Sequence, residues 1–273
     1  MTILADFHTH TSFSGDCSIP MDEMIQNAIR LNVNTLCFTE HNDFEYPFSK
    51  GEDPNMFILN SADYFQTFQN LQKKYESQIQ LRFGIELGLQ THTAAQNSSL
   101  IDQFPFDFVI ASSHVCNQKD PYYPEFFENR TTFDAMTEYF ESILNNIQHF
   151  SSFDVYGHLD YAMRYLPQES KPYNPTDYME ILTEILKQLI DNGKGIECNC
   201  GGYAKGLNHP NPHPQILSLY HKLGGEIITI GSDAHHPEFL VHQFPTAFDL
   251  LKSIGFKYYT SFTNRKPEFL SLG

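Results

Sequence analysis

Seven stretches of the chain are nearly unbroken apolar runs rich in β-branched or aromatic residues, each closed by polar or turn-forming ones: residues 3–8, 34–39, 79–87, 106–112, 153–159, 195–200 and 226–231. Continuous rather than alternating apolar character predicts strands buried on both faces, as in a parallel sheet. Between them the period lengthens to that of a helix. In residues 20–31, Met21, Met24, Ile25, Ala28 and Ile29 form one apolar stripe, with Ser18 as the expected cap and Pro20 in the first turn. Helices are likewise predicted over 61–75, 131–150, 176–192, 214–223 and 237–254, with Gly193 and Gly224-Gly225 as stops. Residues 43–59 read as a long polar and aromatic loop, a lid or wall. Strand and helix alternating in this number imply a parallel α/β barrel in one domain spanning residues 1–273.

In such a barrel the functional groups gather at the carboxyl ends of the strands, so the ends of the runs carry the information. The first run ends in Asp6-Phe7-His8-Thr9-His10, and residues two apart on a strand share a face, which aims both imidazoles at one point. Asp16 follows in the next loop. The second run ends in Thr39-Glu40-His41, the third carries Glu86, and the fourth ends in Ser112-Ser113-His114. The fifth ends in Gly157-His158-Leu159-Asp160 and the seventh in Gly231-Ser232-Asp233-Ala234-His235. A set of metal-capable side chains would face a single rim.

Composition narrows the partners. The formal net charge is -16, with 17 Lys and Arg scattered along the chain, which argues against nucleic acid or an anionic membrane as partner. A phosphorylated small molecule is compatible, provided metals and a few placed cations make the site itself positive. No charged leader precedes an apolar core, and no apolar run approaches the roughly 20 residues of a membrane span, so the expected location is cytoplasmic. Five cysteines in a chain of 273 residues suit reduced thiols, and Cys198 and Cys200 are read as small core hydrophobes. His92, His149, His209, His213, His221, His236 and His242 fall off the strand ends and are read as structural or exposed.

Taken in order, Asp-x-His-x-His, Thr-Glu-His, a lone Glu, Ser-x-His, Gly-His and Ser-Asp-x-His resemble the polymerase-and-histidinol-phosphatase (PHP) superfamily over nearly the whole chain. Phe13-Ser14-Gly15-Asp16 and the run ending at Phe44 resemble its histidinol-phosphate phosphatases in particular. The resemblance implies a distorted (β/α)7 barrel with three divalent ions, and a phosphomonoesterase that converts L-histidinol phosphate to L-histidinol and phosphate in histidine biosynthesis. Carried over by position, His8, His10, Glu86 and Asp233 would bind the first ion, Glu86, His114 and His158 the second, and Asp16, His41 and His235 the third. Asp6 and Glu40 are read as carboxylates that orient imidazoles.

Mixed His and carboxylate donors suit Zn, Fe or Mn. A carboxylate such as Glu86 can bridge two ions, and hydroxide between them is the expected nucleophile, with Glu86 and Asp233 as catalytic residues. Arg164, six residues beyond His158, is the first candidate for a phosphate clamp because guanidinium is planar and permanently charged; Lys205 and Arg130 are the others. A leaving group with an amine and an imidazole calls for acidic and aromatic neighbours, for which Asp43, Phe44, Glu125, Asp160 and Tyr161 are candidates. Competing readings are a PHP phosphodiesterase or tyrosine phosphatase, a non-catalytic metal-binding module, and an amidohydrolase-like barrel, although no apolar run here ends in the lysine typical of that group. The sequence leaves the oligomeric state open.

Overall fold

Strands β1 (Ala5–Thr9), β2 (Thr35–Asn42), β3 (Gln80–Gly88), β4 (Phe108–Ser112), β5 (Val155–Tyr156), β6 (Gly195–Asn199) and β7 (Ile228–Gly231) lie side by side in chain order, all parallel. The structure is a computed structural model and describes residues 4–48, 53–167 and 172–273; Ile3, expected to open the first strand, lies outside them, as do residues 49–52 of the 43–59 loop. The sheet curls until β7 meets β1, where a parallel bridge joins Thr9 to Ala234. His10 N donates to the Ala234 carbonyl at 3.0 Å and Asp233 N to the His8 carbonyl at 2.8 Å. This is the expected distorted (β/α)7 barrel. Its distortion is greatest at β5, which pairs over two residues where seven were expected. Beyond them Gly157 N still bonds the Ala111 carbonyl of β4 at 2.8 Å, while His158 N turns to the Glu197 carboxylate, so the apolar run continues after the regular ladder ends.

Helices α1 (Met21–Arg30), α2 (Ser61–Tyr75), α3 (Ala94–Gln103), α4 (Thr132–His149), α5 (Met179–Asp191), α6 (Gly201–Ala204), α7 (Pro214–Lys222) and α8 (Phe244–Ile254) surround the sheet. Each long one buries its apolar stripe, as α5 does with Leu182, Ile185, Leu186 and Leu189 at helical spacing. Every such fully buried side chain contributes roughly 1.5–3 kcal/mol relative to exposure. Ser18 does not cap α1: Pro20 holds the N-cap position, with no side-chain cap, and its fixed φ leads the chain into the first turn. The helix expected over 237–254 breaks, since Val241 and Gln243 adopt left-handed backbone before α8 begins.

Three features were not foreseen: α3, the one-turn α6, and a terminal hairpin of β8 (Tyr258–Thr263) and β9 (Lys266–Ser271). Asn264 and Arg265 turn the hairpin with positive φ of 50° and 63°, the two-residue geometry that matches strand twist. It closes the amino end of the barrel. Ile228 N at the start of β7 donates to Thr260 Oγ1 at 3.2 Å, Arg82 Nε of β3 to the Phe262 carbonyl at 3.2 Å, and Asn264 N to Asp107 Oδ1 at 2.9 Å. Phe262 packs on Phe108 inside, with ring centroids 4.9 Å apart. No described helix is long and apolar enough to cross a membrane.

Candidate metal centre

At the carboxyl end the sheet brings its rim residues onto one carboxylate. Register places His41 of β2 directly beside Glu86 of β3, both inside their strands rather than beyond them. Glu86 Oε2 lies 3.1 Å from His8 Nε2, 3.6 Å from His10 Nε2 and 2.9 Å from His41 Nδ1. Its Oε1 lies 3.2 Å from His114 Nε2 and 2.9 Å from His158 Nε2. Asp233 Oδ1 is 3.6 Å from Nε2 of both His8 and His10, and Asp16 Oδ2 is 3.3 Å from His235 Nε2 and 3.6 Å from His41 Nε2. The structure thus gathers all nine residues singled out by sequence as metal-capable. Asp233 reaches them from a left-handed backbone, φ 57°, a conformation that Asp tolerates better than most residues.

Four overlapping groups are compact enough to share ions: His8, His10 and Asp233; His8, Glu86 and His158; His41, Glu86 and His114; and His10, His41 and His235. Two donors at about 2 Å from one ion sit roughly 3–3.5 Å apart, which is the spacing seen. His8 Nε2, His10 Nε2, His41 Nδ1, His235 Nε2 and Glu86 Oε2 are all buried without a hydrogen-bond partner. Stranding five such atoms in one place would cost several kcal/mol, so the residues fit metal ions.

Burial, then the imidazoles of His41, His235 and His8, hold His10 well below the usual histidine range. Burial also lowers His8, His41, His114 and His235, but the neighbouring carboxylates outweigh it and hold all four above that range, so a cation would have to displace protons from these nitrogens. Burial raises Glu86, but His8, His114 and His41 outweigh it and hold the carboxyl well below the ordinary range. The outer nitrogens are mostly engaged. His8 Nδ1 donates to Glu197 Oε1 at 2.6 Å, His114 Nδ1 to Asp43 Oδ1 at 2.8 Å, and His10 Nδ1 pairs with Ser14 Oγ at 3.0 Å. Ser14 Oγ in turn donates to Glu40 Oε2, so Glu40 orients an imidazole at one remove. Asp6 does not orient one. Its oxygens accept backbone N–H groups of Ser232 and Val241, which stitches β1 to the loop after β7.

Of the substrate-binding candidates, the structure brings two to the cluster. The Tyr161 ring stands 5.1 Å from that of His158, and Arg164 Nη1 donates to Asp233 Oδ2 at 3.1 Å. Arg164 also donates to Asn211 Oδ1 and Asn199 Oδ1, which commits three of its five donors to protein. Arg130 is not brought there: it pairs with Glu138 and donates to the Phe126 carbonyl, because α4 offers it a carboxylate eight residues on. Lys205 is exposed at the end of α6. Asp160 is fully buried, both oxygens occupied by Asn211 Nδ2 and His213 N, so it holds a turn rather than offering charge to a ligand. Asp43 is taken by His114, and a Cβ on Gly88 would sit 1.8 Å from its Oδ1, which explains the glycine. Glu125 is exposed, while Phe57 of the 43–59 loop lies edge-on to His41 and Tyr46 donates to buried Asp120, forming a wall.

Sequence reasoning missed Glu197, Asn199, Asn211 and Asp120. For the first two a signal existed: polar residues alternate with Ile196 and Cys198 in a run otherwise read as wholly core. Cys198 and Cys200 are buried free thiols and join none of the four groups.

A parallel barrel whose rim gathers metal-capable His and carboxylate side chains belongs to a class of metal-dependent hydrolases. The PHP domain family model matches residues 6–201. A histidinol-phosphatase of Lactococcus lactis is 33% identical over 96% of this chain and 95% of its own length. The crystal structure of a Lactococcus lactis histidinol phosphate phosphatase, complexed with zinc, L-histidinol and phosphate, superposes with a TM-score of 0.87 at 32% identity, covering 97% of this chain and 98% of that one. A Listeria monocytogenes protein described as a candidate histidinol phosphatase shares the fold alone, with a TM-score of 0.75 at 20% identity over 89% of this chain and 99% of that one. The chain belongs to the PHP domain family, on its histidinol-phosphatase branch.

Proposed function

We propose that the protein hydrolyses L-histidinol phosphate to L-histidinol and phosphate, a histidine-biosynthetic step in the cytoplasm, at a site of three divalent ions. The observation that carries this is the buried set of unpartnered nitrogen and oxygen atoms around Glu86, in a chain that aligns end to end with a relative of that name. His8, His10, Glu86 and Asp233 hold one ion, Glu86, His114 and His158 a second, and Asp16, His41 and His235 the third. The donor set suits Zn, Fe or Mn.

A phosphomonoester dianion hydrolyses very slowly unaided, so the site must neutralise oxygen charge and present a nucleophile at neutral pH. Divalent ions bound here would supply both, by Lewis acidity toward the phosphoryl oxygens and by making a bound water more acidic. The chain's own residues fix the geometry. Glu86 couples the ends of four other strands through His8, His41, His114 and His158, and Arg164, buried beside Asp233, adds the permanent positive charge of the rim. Tyr161 and Phe57 wall the cluster from bulk water on two sides and offer aromatic surface to the imidazole of the leaving group.

The test is phosphate release from L-histidinol phosphate beside p-nitrophenyl phosphate and bis(p-nitrophenyl) phosphate. A kcat/KM for histidinol phosphate far above that for the generic monoester is expected. Equal or better turnover of the diester, or of the generic monoester, would sink the substrate assignment.

A further inference from the structure

Six of the seven barrel strands supply a residue to the four metal-capable groups, from the strand itself or from the loop that follows it; β6 supplies none. It carries instead two fully buried polar side chains at i and i+2, Glu197 and Asn199, which the strand period puts on the same inward face. Glu197 Oε1 accepts from His8 Nδ1 at 2.6 Å, and its Oε2 accepts the His158 backbone N–H and Asn199 Nδ2, each at 3.0 Å. Asn199 Oδ1 takes Arg164 Nη2 at 2.9 Å, and Arg164 Nη1 ends the chain of bonds on Asp233 Oδ2 at 3.1 Å. One strand thereby grips three others at their functional ends.

The fold makes room for this. A Cβ on Gly231 would lie 2.3 Å from His8 Cβ and 2.4 Å from Glu197 Oε1, so a side chain on β7 at that point would drive the pair apart. The chemistry is also directional. A carboxylate that accepts from Nδ1–H leaves the lone pair on Nε2, the atom of His8 that faces Glu86 and Asp233 without a hydrogen-bond partner. On Asp233, Arg164 occupies Oδ2 and leaves Oδ1 toward His8 and His10.

Resting on the reading that His8 and Asp233 share one ion, we propose that Glu197 is a positioning residue: it sets the tautomer and direction of His8 and, through Asn199 and Arg164, the oxygen that Asp233 presents. The ion site is therefore shaped before an ion arrives. β6 is its frame, and one of the ion sites depends on Glu197 more than the others do.

The experiment titrates the metal-free full-length protein with Co(II), following the visible spectrum and competing with a chelator. Glu197→Gln keeps the volume and loses the charge and one of the two acceptors. It is expected to weaken one class of site 10–100-fold, to change the spectrum of that site alone, and to leave the far-UV circular dichroism as in the wild type. Glu197→Asp, which keeps the charge, should recover part of the lost affinity. Asn199→Ala leaves the Glu197–His8 contact in place and should weaken the same site less, which keeps the idea testable if Glu197→Gln does not fold. Wild-type Co(II) affinity in Glu197→Gln overturns the proposal, as does an equal loss at all sites accompanied by a lower melting temperature of the metal-free protein. Because Co(II) binding needs no ester, selective loss of one site in a protein that ignores histidinol phosphate would refute the substrate assignment and leave the frame standing.

Discussion

Both mouths of the barrel carry ionisable side chains and treat them in opposite ways. At the amino end, Asp107, Asp154, Arg82 and Arg265 bond to the hairpin or to one another: Asp107 Oδ1 accepts Asn264 N, Arg265 pairs with Asp154, and Arg82 reaches the Phe262 carbonyl. At the carboxyl end, His8, His10, His41 and Glu86 are buried and His235 is partly so, yet each keeps a buried atom with no hydrogen-bond partner. Satisfied polar groups around an aromatic plug make a lid that holds the barrel shut. Unsatisfied ones that converge are an unfavourable arrangement unless cations complete it. Stability is thus concentrated at one end and chemistry at the other, as parallel barrels generally divide them.

The contrast can be broken most severely at Glu86, which touches His8, His41, His114 and His158. Glu86→Gln should lower kcat/KM about 1,000-fold or more, on the order of 4 kcal/mol of transition-state stabilisation. Calorimetry of the metal-free protein should show a melting temperature close to that of the wild type. A variant that kept a tenth of the activity would place the chemistry elsewhere.

At the other mouth, Phe262→Ala opens a cavity against Phe108 and should cost about 3 kcal/mol of stability. The activity of the remaining folded molecules should match the wild type, measured as kcat/KM at a temperature where both are folded. If kcat/KM falls in step with stability, the two ends are not separable.

A smaller effect sharpens the comparison at a histidine outside the cluster. His213 Nδ1 accepts Gln215 N at 3.2 Å and caps α7, a bond available only to the neutral ring, and burial with His209 nearby pushes its pKa down to about 4. The neutral form is favoured in the fold. This contribution is therefore fully present above the ordinary histidine pKa near 6.5 and is lost as pH falls from there toward about 4. His213→Asn, which caps without titrating, should flatten that part of the acid dependence by roughly 1 kcal/mol, read from urea unfolding at pH 4.5 and pH 7.5. An unchanged slope between those values would remove the cap from the account.

The carboxyl end was largely legible in sequence because its chemistry sits where apolar runs stop, and strand ends are easy to see. His8, His41, Glu86 and Asp233 needed only the strand period and the barrel rule. Their partners were not legible in the same way. Asp43 lies in sequence among loop residues suited to a leaving group, and only the fold brings it 2.8 Å from His114 Nδ1. Arg130 ranked behind Arg164 as a phosphate clamp, but only the fold shows that Glu138 of α4 already occupies it. Glu197 and Asn199 were passed over because their strand was read as wholly core, although their alternation with Ile196 and Cys198 marks one polar face. The amino-end hairpin was missed for another reason. Its turn uses Asn-Arg rather than the glycine-containing pairs that announce such turns, and Arg265 accepts the left-handed conformation because Asp154 and the Asp107 carbonyl hold it.

The central claim is that the rim cluster holds the ions that do the work, and metal stoichiometry against activity addresses it most directly. Metal-free protein should be restored with zinc in steps, with bound metal quantified and phosphate release from L-histidinol phosphate measured on the same samples. The account predicts that binding saturates near three ions per chain and that activity is absent without metal and complete only at saturation. Full activity in metal-free protein, or with a single ion per chain, would contradict it.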